Sequence, residues 1–517
     1  MRRVAASVEG KSFSTLECDH TFKGVVKKTA RIDAHGGFSV HCETMSVTTH
    51  NFGEVSDKAT HIHRKPKSSD EETSPFPPGF EVTDEYKSCV KELDNGTPVV
   101  FVSGKAGTGK STLIQYIRSI TKKRHVVLAY TGIAAMTISG QTINSFFGFP
   151  WEPLTENLIK ATTYRSRLDL LNKLDLLIID EVSMLRADFL DGINWYLQKN
   201  RTHGNGIPFG GVQILLIGDM FQLPPIASNR NNELQCLLDA GYADLFFFCA
   251  KSLRGINFST IELTKIFRQE NREFQTILNQ VREGKNSQQA VEFLNRRCPI
   301  IPDHPKDRLC ITSRVKTAQR INDTRLKELP GKTHRFPADY EGSCARMKKG
   351  TPGTNRLPAP DPLELKVGAQ VMLLRNDTKG RWVNGSMATV LEIDPDQNIL
   401  KVKIWKTGLI TNIKKENWDE KKYKYNKETD TIKGETTGFF SQYPLNLAWA
   451  TTIHKAQSKT IDKIHIDLQG GAFASGQTYV ALSRCPSVEN ISLARPLTES
   501  DIQVSETITR FFDSLKT

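Results

Sequence analysis

The fold of this chain is decided by VVFVSGKAGTGKST, residues 99–112. Its apolar first half predicts a buried strand, and residues 111–120 are compatible with a helix. Between them, GKAGTGKS matches the pattern G-x-x-x-x-G-K-[ST] in full, with an extra glycine at position 107. Glycines let successive backbone N–H groups turn towards phosphate oxygens, and the helix N-terminus adds partial positive charge. The stretch therefore predicts a nucleotide-phosphate loop on the first strand of an α/β sheet.

The loop residues have distinct expected tasks. Lys110 is placed to reach the β- and γ-phosphates of ATP, and the hydroxyl of Ser111 is placed to ligate Mg²⁺. A glycine-rich turn that matches the pattern by chance is the alternative, and the flanking strand and helix argue against it. The residues expected to contact the nucleotide are Gly104, Ala106, Gly107, Thr108, Gly109, Lys110, Ser111 and Thr112.

Two further apolar runs end in polar residues of the kind a phosphate site needs. Residues 174–179 predict a buried strand that ends in Asp180 and Glu181. In parallel sheets such strand ends lie where ligands bind, so Asp180 is expected to hold Mg²⁺ and Glu181 to act as general base on water. After the run 212–217, Gln222 can hydrogen-bond a γ-phosphate or the attacking water. A solvated strand end and an ordinary loop residue are the alternatives.

Composition limits the class of protein and its partners. The chain has 517 residues, 25% of them charged and 38% hydrophobic, which fits about three folded domains. A net charge of +13 favours a polyanionic partner, nucleic acid first. Nine dispersed cysteines indicate a reducing intracellular compartment: cytoplasm, nucleoid, nucleus or mitochondrion rather than secretion. No apolar run reaches the roughly 18 residues of a membrane-spanning helix, so we expect no membrane partner. With no evident dimer element, we expect a monomer.

Shifts in composition divide the chain. Apolar strand-like runs alternate with helical stretches from residue 80 onwards, which predicts an α/β fold with parallel sheets. The expected division is an N-terminal extension and linker of unassigned role (1–79), a first α/β domain (80–230) with a short wedge insertion near 145–165, a second α/β domain (231–335 and 441–517) and a small inserted β domain (336–440).

The extension contains zinc-type residues, but their spacing does not match the usual ligand patterns. These residues are Cys18, His20, His41 and Cys42. Strand-like runs at 25–32 and 38–47 predict a small β element here.

Eight ordered blocks resemble the superfamily 1 B-type DNA helicases, in particular their PIF-type (petite integration frequency) branch, which is related to RecD. The blocks are the phosphate loop, AYTGIAA (129–135), QTINSFFG (141–148), LLIIDEVSML (176–185), GDMFQLPP (218–225), LTKIFRQ (263–269), ATTIHKAQSKT (450–460) and TYVALSRC (478–485). The resemblance covers roughly residues 80–510 and does not extend to the first 79.

The resemblance implies two RecA-like P-loop domains with parallel sheets and an inserted small SH3-like β domain, with ATP in the cleft between the RecA-like domains and single-stranded DNA across both. It implies an ATP-dependent helicase that moves 5′ to 3′ on single strands and unwinds duplex with a 5′ tail or structured DNA such as G-quadruplexes. DNA repair, recombination, replication or telomere maintenance would be the setting. Arg268 and Arg484 match the two arginine fingers of the family, and a fixed guanidinium fork suits charge on a transferring phosphate.

The resemblance also implies a DNA path. Thr131 and Gly132 match residues that hold the DNA backbone, which hydroxyls and backbone N–H groups can contact without reading sequence. Phe146 could stack on a base, although paired aromatics such as Phe146 and Phe147 are more often core. The expected DNA-contacting block of the second domain is Thr451, Thr452, His454 and Lys455.

Three regions depart from the family pattern or leave two readings open. Tyr86 stands where the family often has an adenine-contacting Gln, so it could stack on the base instead. Ser458 stands where Gly is usual, which is costly if the backbone has positive φ. In the insert, residues 401–428 interleave nine lysines with Trp405, Trp418, Tyr423 and Tyr425. This stretch is equally a nucleic-acid track or a solvated surface around a β core.

Two functions besides unwinding remain open. One is a translocase that displaces proteins or remodels structured DNA without much strand separation. The other is an ATP-gated clamp on single strands whose hydrolysis only times release. The complete polar set argues against a dead or slow ATPase: Asp180, Glu181, Gln222, Arg268 and Arg484.

Overall fold

The computed structural model describes residues 80–150, 152–227, 232–269, 271–345, 357–397 and 399–515, together with Phe76 and four short N-terminal strands. The chain forms two compact units, Met1–Thr73 and Ser74–Thr517. The strands of the first unit form an antiparallel sheet: β1 Arg2–Arg3, β2 Leu16–Glu17, β3 Thr29–Ile32 and β4 Phe38–His41. Pairing of β3 with β4 agrees with the two predicted strand-like runs. Cys18, His20, Cys42 and most of the expected linker lie outside the described residues.

The first α/β domain is built on a six-stranded sheet. Its helices and strands are α1 Asp84–Asp94, β5 Val99–Gly104, α2 Lys110–Ile120, β6 His125–Ala129, α3 Gly132–Thr137, β7 Gln141–Thr142, α4 Ile143–Phe147, α5 Arg165–Lys173, β8 Leu176–Asp180, α6 Ala187–Asn200, β9 Gln213–Gly218, α7 Glu233–Asp239 and β10 Phe258–Leu263. The order is β10-β5-β9-β8-β6-β7, and every pairing is parallel. The predicted parallel α/β fold is confirmed.

The expected end of this domain at residue 230 is too early. Strand β10 pairs with β5 from Phe258 to Leu263, so the first sheet continues to residue 263. The residues between β9 and β10 contain Phe246 and Phe247, which lie in the same core as β5. Composition alone did not indicate this, because β10 is a half-buried edge strand and lacks the continuous apolar run of β5, β8 or β9.

The second α/β domain is interrupted by the insert. Its first part contains α8 Arg272–Glu283, α9 Ser287–Arg297, β11 Leu309–Thr312 and α10 Val315–Glu328. The insert contains β12 His334–Phe336, β13 Asp339–Gly342, β14 Leu363–Leu365, β15 Gln370–Leu373, β16 Met387–Asp394, β17 Ile399–Ile404, β18 Ile410–Asn412, β19 Glu416–Asn426, β20 Thr431–Gln442 and β21 Leu445–Leu447. The chain then returns with β22 Ala450–Thr452, α11 Ile453–Ala456, β23 Ile464–Asp467, α12 Gln477–Leu482, β24 Ile491–Leu493 and α13 Glu506–Ser514.

The sheets of this half differ in kind. The second α/β domain has a parallel sheet of order β22-β11-β23-β24. The insert has an antiparallel sheet of order β18-β17-β16-β15-β21 and a long hairpin, β19–β20, that β13 joins as a third strand. We refer to β19–β20 as the hairpin.

Two segments of the second half contact the first domain. Near the tip of the hairpin, Tyr423 Oη accepts a hydrogen bond from Val127 N at 3.1 Å, and Asp430 pairs with Arg124 at 3.0 Å. Helix α13, which we expected within the second domain, also packs on the first: the ring of Phe511 stacks on Phe248 at 4.1 Å. An amphipathic terminal helix packs on whichever apolar surface lies within reach, so its sequence did not identify the partner. In the described part of the chain, no helix has the length and apolar character needed to cross a bilayer.

Candidate nucleotide and nucleic-acid site

The phosphate loop connects β5 to α2, as its sequence predicts. Gly107 and Gly109 both have φ of +85°, a conformation that other residues rarely adopt. A Cβ atom at Gly107 would lie 2.5 Å from Cβ of Arg268, and one at Gly109 would lie 2.7 Å from Oη of Tyr86. These two glycines are therefore required by backbone conformation and by close packing.

Lys110 begins helix α2 and is folded back onto its own loop. Its ammonium donates to the carbonyl oxygens of Gly104 at 2.8 Å and Lys105 at 3.0 Å. Burial lowers the pKa of Lys110, and the nearby acidic groups oppose that shift. The Thr108 hydroxyl also donates to Lys105 O and shapes the loop, whereas Ser111 is exposed at the start of the helix.

Asp180 ends β8, and Glu181 follows it, beside this loop. Burial, and secondarily the charge of Glu181, raise the pKa of Asp180 to about 7. Glu181 has φ of +54°, in the left-handed region that non-glycine residues rarely occupy outside special sites. Its side chain is held by residues of the second domain: Gln457 Nε2 donates to Oε2 at 3.2 Å, and the Ser458 hydroxyl donates to Oε1.

Gln222 is part of the same network. It is buried, and its side-chain oxygen accepts a second hydrogen bond from Gln457 Nε2 at 3.1 Å. Gln457 therefore bridges the two residues expected to act on water, Glu181 and Gln222. Ser458 next to it has φ of +62°, so the position does have the conformation that usually selects Gly. Sequence reasoning did not identify Gln457 as a site residue, although it lies within the HKAQ block.

A second network across the cleft was also missed. Asp219, fully buried at the end of β9, pairs with Arg282 of α8 at 3.0 Å. Tyr479 Oη donates to Asp219 at 2.9 Å and accepts from the phosphate-loop N–H of Ala106 at 3.0 Å. Burial raises the pKa of Asp219, but the charges of Arg282 and Lys110 outweigh it and the net shift is downward. The position of Asp219 at the end of a strand could have identified it from the sequence. No local sequence pattern could have identified Arg282.

The two predicted arginine fingers lie together on the second-domain side of the cleft. Arg268 Nη1 donates to Ser483 O at 3.2 Å, and its Cβ faces Gly107. Arg484 is 1% exposed and donates to Val480 O at 2.9 Å. Burial, followed by the charge of Arg268, lowers the pKa of Arg484 to about 9. We call Arg268, Tyr479 and Arg484 the arginine edge.

These residues fit a Mg²⁺-bound nucleoside triphosphate. The glycine cradle has no room for side chains, α2 directs its N-terminus at the cradle, and a half-buried cation, Lys110, lies beside it. The oxygen donors Asp180 and Ser111 are of the hard type that Mg²⁺ prefers. Asp180, Ser111 and the loop would hold the metal and its phosphates.

Tyr86 does not have the position expected of a base-stacking residue. It is 3% exposed, its ring packs against Phe80 and Tyr116, and its hydroxyl donates to Gly109 O at 2.7 Å. Both its ring and its hydroxyl are engaged, so in this structure Tyr86 supports the phosphate loop from behind. The sequence of an amphipathic helix does not show whether the ring and hydroxyl of a tyrosine on it will be buried or left free to contact a ligand.

Phe146 is likewise a core residue in this structure. It is 4% exposed, with Phe147 at 4.9 Å, the guanidinium of Arg167 4.0 Å above its ring, and Tyr423 of the hairpin at 6.1 Å. Neighbouring side chains cover the faces of the Phe146 ring. The structure therefore supports the alternative in which Phe146 and Phe147 are a pair of core residues rather than base-stacking ones. The aromatics of the Lys-rich stretch are also engaged: Trp405 Nε1 donates to Thr389 at 2.9 Å, and Trp418 is buried.

The expected DNA contacts divide between buried and exposed side chains. Thr131 caps α3 by accepting from Ala134 N at 3.2 Å, and the Cα of Gly132 faces open space. Thr451 and Thr452 are 4% exposed, whereas His454 and Lys455 are exposed on α11.

A cavity of 1070 Å³ lies where the first domain, the second domain and the insert meet. Its lining includes Arg118 of α2, Thr451, Lys455 and Lys459 of the second domain, and Arg375 of the insert. The described cavity therefore brings basic groups from all three parts to one surface.

Comparison with known proteins gives the same family from sequence and from structure. The family model of PIF1-like helicases matches residues 81–292. The ATP-dependent DNA helicase Pif1 of Bdellovibrio bacteriovorus is 32% identical over 425 residues, which cover 80% of this chain and 88% of that protein. The ATP-dependent DNA helicase PIF1 of Rattus norvegicus is 34% identical over 401 residues, covering 76% of this chain but only 58% of the rat protein.

Solved structures of Pif1 from Bacteroides sp are similar over nearly their full length. The complex with ADP-AlF4 has a TM-score of 0.75 and 32% identity, covering 84% of this chain and 97% of that one. The form bound to ssDNA, with the same identity and coverage, has a TM-score of 0.60. The unliganded form has a TM-score of 0.73, so this chain is more similar to these two DNA-free forms than to the form bound to ssDNA.

Proposed function

Because the chain belongs to the PIF1-like helicase family, we propose that it is an ATP-dependent DNA helicase that moves 5′ to 3′ on single-stranded DNA and unwinds duplex or structured DNA, including G-quadruplexes. Its setting would be DNA repair, recombination, replication or telomere maintenance. Single strands and duplex with a 5′ tail are the proposed partners, and a monomer the proposed state. The proposal is supported by relatives named as DNA helicases and by a cleft with the donors that ATP and Mg²⁺ need.

One observation carries the proposal: Gln457 bonds both Glu181 and Gln222 across the cleft. Gln457 follows directly on Thr451, Thr452, His454 and Lys455, the proposed DNA-contacting block. A strand that displaces α11 also displaces Gln457 and Ser458, which releases the Glu181 carboxylate towards water. DNA binding is thereby linked to hydrolysis by a short run of residues.

The remaining residues act on the phosphates. Lys110 exchanges its bonds to the loop carbonyls for phosphate oxygens, and the loop N–H groups bind the same oxygens. Bound Mg²⁺ would neutralise phosphate charge as it develops. Glu181 takes a proton from the attacking water that Gln222 orients. Arg268 and Arg484 place positive charge opposite the γ-phosphate when the domains approach, so hydrolysis follows closure of the cleft.

The DNA path is proposed from charge and position. Lys455 and Lys459 of the second domain, with Arg118 of the first, line the cavity where the three parts meet. Lysines and hydroxyls there suit phosphate contacts that fix a strand without reading its sequence. The SH3-like insert would cover this path as a lid.

The test is ATP-dependent unwinding of two partial duplexes, one with a 5′ tail and one with a 3′ tail, at one stated salt concentration. We expect separation of the 5′-tailed duplex alone. Lys110→Ala should lose unwinding and at least ~10²-fold of ATP turnover, because the ammonium beside the phosphate loop is removed, and should keep DNA binding. Lys105→Ala, which changes a lysine at a variable position of the same loop, is the matched control.

Other outcomes identify the alternatives. Turnover stimulated by single strands without separation of either duplex would favour the protein-displacing translocase or the ATP-gated clamp. Separation of the 3′-tailed duplex, or unwinding by Lys110→Ala, would contradict the proposed motor.

A further inference from the structure

The second domain contains a cluster of metal-ligating side chains that the proposed helicase mechanism does not use. His304, Cys310 and Asp467 each offer a ligand atom, and these atoms all lie within 4.8 Å of one another. His304 Nε2 is 3.1 Å from Asp467 Oδ2. A tetrahedral zinc ion with bonds of about 2.0–2.3 Å holds its ligands roughly 3.3–3.7 Å apart, so a contraction of about 1 Å completes the site.

The topology explains why these side chains meet. In the register of β11 and β23, Cys310 is opposite His465 and Thr312 is opposite Asp467. Opposite residues, and residues two apart on one strand, share a face of the sheet. His304 lies on the segment between α9 and β11, and its carbonyl accepts from Arg325 of α10 at 3.0 Å. The cluster thus joins that segment to the sheet beside α10.

A fourth side chain supplies the independent observation. His465 is completely buried, and its Nδ1 is 3.0 Å from Ser492 Oγ on β24. Its Nε2, on the other side of the ring, is buried and has no hydrogen-bond partner among the described residues. The ring lies 5.6 Å from the ring of His304 at 78°. A buried imidazole nitrogen without a partner is costly in an apolar core, and it is the atom that a metal ion would satisfy.

We propose that His304, Cys310 and Asp467 bind one zinc ion that fastens the segment before β11 to the second sheet, and that the neighbouring ring of His465, which lies outside this group of close ligand atoms, moves in to provide the fourth ligand. The ligand set combines thiolate, imidazole and carboxylate, which suits Zn²⁺ and excludes hard cations such as Mg²⁺. One thiolate and one carboxylate balance the double charge of the ion. The half-exposed His304 provides the route by which the ion enters.

The test measures metal directly in the full chain. Protein loaded with Zn²⁺ and desalted should retain about one zinc per chain, and substitution with Co²⁺ should give a thiolate-to-cobalt absorption band. Cys310→Ser should lose that band, and both Cys310→Ser and His304→Ala should lose the zinc. Cys298→Ser, a buried cysteine of the same domain outside the cluster, should keep both. Because Cys18 and Cys42 could hold metal themselves, the measurement is repeated in Cys18→Ser/Cys42→Ser, which should retain this zinc.

Thermal denaturation gives a second readout that is independent of activity. Removal of zinc with a chelator should lower the Tm of the unaltered chain and leave that of His304→Ala unchanged. His304 is partly exposed, so this variant remains informative if Cys310→Ser does not fold. Equal zinc content in the unaltered chain and His304→Ala, or a chain that retains no zinc after loading, would overturn the proposal.

Discussion

The phosphate loop and the arginine edge face each other across one cleft, but they are assembled in different ways. The loop is a single run between β5 and α2, so its shape follows from neighbouring residues. The arginine edge joins Arg268, which lies before α8, to Tyr479 and Arg484 near the chain's end. Those three residues meet only when the second domain has folded, and they reach the loop only when that domain has met the first. A local motif can bind a nucleotide, whereas the edge can act only when the whole molecule has assembled.

The two regions are nevertheless in direct contact. Gly107 has no side chain because Cβ of Arg268 occupies that space, and Ala106 N–H bonds to Tyr479. The shape of the loop therefore depends on the distant edge in this arrangement. Four predictions, which use five substitutions, test what the loop, the edge and their surroundings contribute.

The largest effect is expected at the fingers. Arg268→Lys and Arg484→Lys keep a positive charge but lose the guanidinium fork, so kcat for ATP should fall by about 10³-fold with little change in nucleotide binding. Steady-state turnover and binding of a fluorescent nucleotide measure the two quantities. Arg297→Lys, in the surface pair with Glu489, is the control. A fall in affinity with unchanged kcat would assign these arginines to binding instead.

The next effect tests the contact between the two regions. Gly107→Ala places a methyl group 2.5 Å from Cβ of Arg268 at a φ of +85°. Strain of about 1–3 kcal/mol should lower kcat/KM for ATP by roughly 10- to 10²-fold. Gly470→Ala, where a Cβ meets open space, should have normal kinetics. Normal kinetics in Gly107→Ala would mean that loop and edge move apart before ATP binds.

A smaller effect concerns the link from DNA to the cleft. Gln457→Ala removes the hydrogen bonds to Glu181 and Gln222. Because Glu181 then keeps the Ser458 hydrogen bond but loses the one from Gln457, it is held less firmly without DNA. The basal ATPase rate should therefore rise, and the ratio of stimulated to basal rate should fall by about tenfold, the equivalent of one hydrogen bond to a charged group. ATPase assays with and without oligonucleotide measure this ratio. The exposed Gln397→Ala should keep it, and an unchanged ratio in Gln457→Ala would remove this link.

The smallest effect is on stability. Lys459 is buried, and burial, followed by the charge of Lys455, lowers its pKa from 10.5 to about 8. The folded chain then binds fewer protons than the unfolded chain between these values, so stability should rise as pH increases from about 8 to 10.5.

Lys459→Met should remove this rise of stability with pH. It should also raise Tm at pH 7, by about 2–4 °C for each kcal/mol added to the free energy of unfolding. Thermal denaturation across this pH range measures both. Lys332→Met, an exposed lysine, should leave the slope in place. A Lys459→Met chain with the same pH slope as the unaltered chain would show that another group titrates there.

The sequence was informative where structure depends on neighbours along the chain. The apolar runs of β5, β8 and β9 and the glycines of the loop need no distant partner, and they identified the parallel sheet and its ligand-binding edge. Lys110, Asp180 and Glu181 were predicted as site residues from the same local signals, and the structure brings them close together.

The sequence was not informative where the role of a residue depends on which distant residues pack against it. The sequence left open whether the rings of Tyr86 and Phe146 stack on bases, and in the structure residues distant in the chain cover both rings. Arg282 is a surface-type residue by sequence, and it becomes a buried partner of Asp219 only through docking of the two domains. For the same reason, the sequence did not indicate that β10 pairs with β5 or that α13 packs on the first domain.

The hairpin is a long arm that connects the second domain to the first. Its base is continuous with the second domain through β21 and β22, and near its tip Tyr423 and Asp430 bond to the first domain. Strand β19 has 11 residues, so at about 3.3 Å per residue it spans roughly 36 Å, and a pivot of about 10° at the base sweeps the tip through about 6 Å. A small change in the width of the cleft would therefore produce a larger displacement at the tip of the hairpin. A distance probe attached at that contact would detect such a change with high sensitivity.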